Sequence, residues 1–138
     1  MKYMLLMTFD EAAQSSYVPN EDDINAMGAF NQELIAQGKL LAGEGLRESA
    51  LGARVDYDGD DRTVTDGPFT EAKELVSGFW IIDADDKAEA VEWARRVPLK
   101  SGRVEVRRVV DLADFPQDNE YIQQEKDWRA EHGESRTA

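Results

Sequence analysis

Two runs of eight residues, KYMLLMTF at positions 2–9 and LVSGFWII at 75–82, are almost wholly apolar, as strands inside a sheet are. Each is followed by a segment of helical periodicity and then by another strand-like run. A strand, a helix and a second strand make a βαβ unit, and two such units in one chain leave few architectures open.

The first helix reads from about Glu21, where Asn20 or Asp22 can cap and an acidic first turn suits the helix dipole. Ile24, Met27, Phe30, Leu34 and Ile35 fall along one side at helical spacing, with Asn31 as an amide at the margin of that face, and Gly38 ends the run. Before it, residues 12–20 read as a loop broken by Pro19. Residues 39–46 form a short strand whose Gly43 and Gly45 mark a bend, a bulge or a close backbone approach. Residues 53–57 and 62–65 pair as a hairpin across Asp58-Gly59-Asp60-Asp61. The second helix starts at 83–86, with Asp86 and Glu89 spaced as a capping box. Ala90, Val91, Trp93, Ala94 and Val97 make its apolar side, and Pro98 stops it. Residues 103–110 alternate through Val104 and Val106 like a half-exposed strand.

The expected fold is therefore α+β: a ferredoxin-like βαβ–βαβ sandwich with an extra β-hairpin in the middle. Its helices cover one face of the sheet. The other face is left apolar and bare in a single chain, so a homodimer is expected, two sheets closing into a dimeric α/β barrel. Residues 1–110 make this domain. Residues 111–138 form a C-terminal extension interrupted by Pro116, in which 118–131 suit a helix that must dock to be stable, with a frayed end.

Composition narrows the function classes. The absence of cysteine removes disulfides, thiolate metal sites and a cysteine nucleophile, and fits a reducing compartment. A formal net charge of −13 disfavours phosphate backbones and anionic lipid, so neither direct nucleic-acid nor membrane binding is expected. The apolar start is short, is followed by Asp10 and Glu11, and lacks a cleavage site, which reads as a first strand in a cytoplasmic protein. There is no P-loop, no dinucleotide fingerprint, no H-E-x-x-H and no G-x-S-x-G, and neither cofactor nor metal is expected.

One stretch asks for more than a connector. Thr65 is followed by Asp66-Gly67-Pro68-Phe69, then Glu71, Lys73 and Glu74, ahead of the second apolar strand. An aspartate can accept from amides two or three residues on, in a turn that glycine and proline then fix. The same residues can instead form a polar corner at the edge of an apolar sheet. There Asp66, Glu71 and Glu74 converge near Lys73, Phe69 covers them, and a desolvated carboxylate serves as general acid or base. On that reading Asp66 is the catalytic candidate, and Phe69, Glu71, Lys73, Glu74 and Trp80 are the ligand-binding candidates. Trp80 and Phe79 are more often packing residues than stacking platforms, and Arg54, Arg62 and Arg103 more often pair with neighbouring acids than with a substrate.

In this order the residues Asp66-Gly67-Pro68-Phe69, Glu71, Lys73, Glu74, Gly78-Phe79-Trp80, Glu89-Ala90, Trp93-Ala94 and Pro98 resemble the DGPF branch of the YCII-related proteins. The opening MKYMLLM and the closing Gly102-Arg103-Val104-Glu105-Val106-Arg107 are similar too. The resemblance implies a dimeric α/β barrel and, through members encoded beside extracytoplasmic-function sigma factors, a link to transcriptional regulation. The His–Asp pair it implies for the YCII branch has no counterpart here, because the one histidine, His132, lies outside the similar region. Two readings stay open: a small-molecule pocket at the Asp66 corner, or a non-catalytic module whose partner is a sigma factor.

Overall fold

The computed structural model of the chain describes residues 1–11 and 19–133. Both βαβ units form. Strand β1 (Lys2–Phe9) leads to helix α1 (Glu21–Ala36) and strand β2 (Leu40–Gly45). A hairpin of β3 (Ala53–Asp58) and β4 (Asp61–Asp66) intervenes before β5 (Leu75–Asp83), α2 (Lys87–Arg95) and β6 (Arg103–Arg108). A further helix, α3 (Glu120–His132), closes the chain. The loop expected at 12–20 lies mostly outside the described residues, as does the chain end expected to fray.

The main sheet runs β2–β5–β1–β6 with every neighbouring pair antiparallel, which is the ferredoxin-like order. The two apolar runs are its central strands, so each is flanked on both sides and has no exposed edge. Tyr3, Leu5, Trp80 and Ile82 face the helices and are buried with Phe30, Leu34, Ala90, Trp93 and Val97. Phe30 sets its ring edge-on to both Trp80 and Trp93, at 5.6 and 6.1 Å between centroids, locking α1, β5 and α2 together.

The helix ends follow the capping chemistry. Asn20 Oδ1 accepts from the Asp23 amide while Asp23 returns the bond to the Asn20 amide, a complete capping box. Asp86 likewise accepts from the Glu89 amide. Glu89 does not complete that second box: its carboxylate accepts from the Asp85 amide and pairs at 3.2 Å with Lys39, just before β2. Two apolar residues expected on the α1 face, Ile24 and Ile35, are exposed, because only the row through Met27, Phe30 and Leu34 meets the core. Val91 of α2 is exposed for the same reason.

The opposite sheet face carries Met4, Leu6, Phe79 and Ile81, brought side by side by the Met4–Ile81 and Leu6–Phe79 register. They are half-buried, and bordered along β6 by Arg103, Glu105 and Arg107. The hairpin is a separate two-stranded sheet turning at Gly59, whose φ of 59° suits a residue without a Cβ. Every residue of β4 is exposed.

Candidate functional site

Two features converge at one end of the sheet: a clamp built around the Asp-Gly-Pro-Phe turn, and a cleft beneath α1.

The clamp is centred on Ser49, first residue of a short 3-10 turn, Ser49–Leu51. Its hydroxyl and amide both donate to the Glu11 carboxylate, at 2.9 and 3.0 Å, and its oxygen accepts from the Phe69 amide at 3.1 Å. The Gly67 amide donates to the Gly52 carbonyl at 3.0 Å. These bonds fasten the base of the hairpin to the end of β1. The Gly67–Pro68 peptide is cis. The Arg54 guanidinium lies 3.9 Å from the Phe69 ring centroid and pairs with Glu71 at 2.6 Å, a layered contact of ring, cation and carboxylate. Glu74 accepts from the Thr8 hydroxyl at 3.0 Å and from Arg103 at 3.1 Å, tying the loop to β1 and β6.

The motif residues are thus spread among separate partners rather than gathered around Lys73. Lys73 is exposed and has no ion pair among the described residues. Asp66 ends β4 opposite Ala53, is exposed, and its carboxylate accepts no hydrogen bond among the described residues, since Ser49 takes the Phe69 amide. No set of three or more histidine, aspartate or glutamate side chains among the described residues is arranged to hold a metal.

The cleft has a volume of about 770 Å³, within the range typical of small-molecule sites. Sheet register makes its floor. Leu5, Trp80 and Gly43 stand in one row across β1, β5 and β2, and Met7, Gly78 and Gly45 in the next, all turned toward α1. Where neighbouring rows carry large side chains the core closes; where glycines replace them the helix is left standing off the sheet. A Cβ at Gly43 would meet Trp80 Cδ1 at 3.3 Å and one at Gly78 would come within 2.9 Å of the Glu44 carbonyl. At Gly45, and at Gly28 on α1, it would enter open space. The roof is the row Gly28, Asn31 and Ile35 of α1, adjacent to the buried row, which accounts for the exposure of Ile35.

Trp80, the one sequence candidate that lines this cleft, is 6 % exposed, and its indole N–H donates to Asn31 Oδ1 at 2.9 Å. Asp66, Phe69, Glu71, Lys73 and Glu74 do not line it. The clamp is nonetheless its neighbour, for the Met7 row is followed in β1 by Thr8, which holds Glu74. The sequence reading of Asn31 as an amide at the margin of the packed face gave it no part in a site, and it gave none to Glu11 or Ser49. The pairing of Gly45 with Gly78 is invisible until strand register is known.

Among the described residues no helix is long and apolar enough to cross a membrane. Compared with known proteins, residues 1–113 match the family model of the YCII-related domain. A protein of Rhizobium meliloti (strain 1021), itself described as uncharacterised, is 31% identical over 97 residues, covering 69% of this chain and 78% of its own length. The family match spans both βαβ units, the hairpin and the clamp, and the chain belongs to the YCII-related family.

Proposed function

We propose that this YCII-related protein, of the DGPF branch by its Asp66–Phe69 turn, is a homodimer that binds a small, largely apolar molecule in the cleft under α1. The observation carrying the reading is the cleft itself: Met7, Met27, Ile35 and Leu40 supply apolar walls, and Asn31 with Gln32 supplies a few polar groups. Methionine thioethers adapt to the shape of what they contact. The clamp holds hairpin and sheet end rigid beside the opening, which is how binding geometry is kept without the ligand touching the turn. Pairing through Met4, Leu6, Phe79 and Ile81 would cover the bare sheet face and leave the cleft, on the helix side, open to solvent.

A fragment screen read by the Trp80 indole resonance and by intrinsic fluorescence tests this. Compounds that move Trp80 in the wild type should lose binding in Gly45→Leu, whose side chain enters the vacant volume without meeting other atoms at its Cβ. Fragments that bind Gly45→Leu as tightly as wild type would place the site elsewhere.

A further inference from the structure

We infer that the ligand of this cleft presents a neutral carbonyl oxygen to the Asn31 side-chain amide, an inference resting on the cleft being the binding site. An indole nitrogen can only donate, so its 2.9 Å contact with Asn31 assigns the carboxamide without ambiguity: Oδ1 faces Trp80. Nδ2, on the other branch of the same planar group, is the end left for the cleft that Asn31 lines. Among the described residues it donates to no protein acceptor.

This donor is held in place from two sides. Trp80 is buried and set edge-on to Phe30, and Phe30 precedes Asn31 on α1, so tryptophan and amide are fixed to the same packed layer. Gln32, the other amide on the cleft, is exposed and has no hydrogen bond among the described residues to aim it. A fixed donor in the cleft wall selects an acceptor, because an apolar group placed there would strip water from Nδ2 and return nothing.

Charge decides which acceptor. Among the described residues the lining holds no lysine or arginine, and its one ionisable residue, Glu44, pairs with Phe79 in the sheet and so turns its side chain to the opposite face. A carboxylate or phosphate would enter a chain of net charge −13 with no cation to receive it. Ketones, quinones, esters and amides with an apolar body meet every condition: one accepting oxygen, no charge, and a shape the methionines can follow.

The test uses acetylnaphthalene and ethylnaphthalene, alike in size but differing in the carbonyl, titrated into the full chain and followed by NMR at the Asn31 amide and Trp80 indole. Acetylnaphthalene should bind roughly fivefold tighter, the worth of one net neutral hydrogen bond, and should shift the Asn31 amide protons. Asn31→Asp keeps the acceptor for Trp80 and removes the donor; with the Trp80 resonance retained as proof of folding, the preference should vanish. Equal binding of both probes to wild type, abolished for both by Gly45→Leu, would overturn the carbonyl assignment while leaving the cleft intact. If neither probe moves Trp80 or Asn31, the cleft reading falls, and this inference with it.

Discussion

The carbonyl oxygen of Ser49 occupies the space a side chain at position 67 would need: a Cβ built on Gly67 would lie 1.7 Å from it. The glycine of the Asp-Gly-Pro-Phe turn is therefore required by close backbone approach, not by a positive φ. Gly67→Ala forces two backbone segments apart and should cost about 3 kcal/mol or more, measured by urea unfolding. A loss below about 1 kcal/mol would mean that the clamp is looser than its hydrogen bonds imply.

Gly28 gives the opposite sign. It lies inside α1 with nothing within 4 Å of where an alanine methyl would sit, so Gly28→Ala removes only unfolded-state freedom. It should stabilise the fold by about 0.5–1 kcal/mol while narrowing the cleft, so thermal stability rises and fragment affinity falls. Stability and binding moving together would break the assignment of Gly28 to the cleft roof.

Glu11 and Ser49 should behave as one unit. Ser49→Ala leaves the Phe69 amide and part of the Glu11 carboxylate without a partner, at a cost of about 1–3 kcal/mol. Adding Glu11→Gln to that variant should cost less than Glu11→Gln alone, because the hydroxyl bond between the two is already gone while only the backbone amide still donates. Strict additivity in the double-mutant cycle would show that the two act separately. Asp66→Asn, by contrast, should alter stability by no more than about 0.5 kcal/mol, since its exposed carboxylate holds no partner among the described residues. If that change abolishes fragment binding, Asp66 is a functional residue acting at the cleft from outside its lining.

Strand and helix positions were legible because local periodicity and capping chemistry carry them: Asn20, Asp86 and the two apolar central runs each point to one element. Their order then admits few sheets, and the observed β2–β5–β1–β6 arrangement is the one expected for two βαβ units. The site was harder to read because it depends on partners far apart in the chain. Ser49 meets Glu11 across 38 positions, and Trp80 meets Asn31 across 49. Nothing local in either residue announces the other. The charged letters around Asp66 draw attention because they cluster in sequence, yet the fold sends Glu71 to Arg54 and Glu74 to Thr8 and Arg103.

The Lys39–Glu89 pair sets a pH dependence. The hydrogen bond from Lys39 to Glu89 raises the Lys39 pKa above its ordinary 10.5, outweighing the desolvation that works against it. A raised folded-state pKa favours the ammonium in the fold, so the contribution is complete below the unfolded value and disappears as pH climbs through the folded one. Wild type and Lys39→Met should therefore differ in melting temperature near neutral pH and converge above pH 10.5. A gap that widens with rising pH would contradict the pairing.

The proposed association of sheet faces makes the last prediction. Leu6 stands between Phe79 on β5 and Glu105 on β6, on the face turned away from the core. In a monomer Leu6→Lys would be tolerated, since the new ammonium reaches water and lies across from a carboxylate, a favourable cross-strand pair. In a dimer closed through this face it would be buried against the partner's apolar side chains, where an unpaired charge is severely penalised. Sedimentation equilibrium should give a two-chain mass for wild type and a one-chain mass for Leu6→Lys, with both retaining the Trp80 indole resonance. A wild-type chain that sediments as a monomer would remove the dimer from the proposal and leave the cleft to stand on a single subunit.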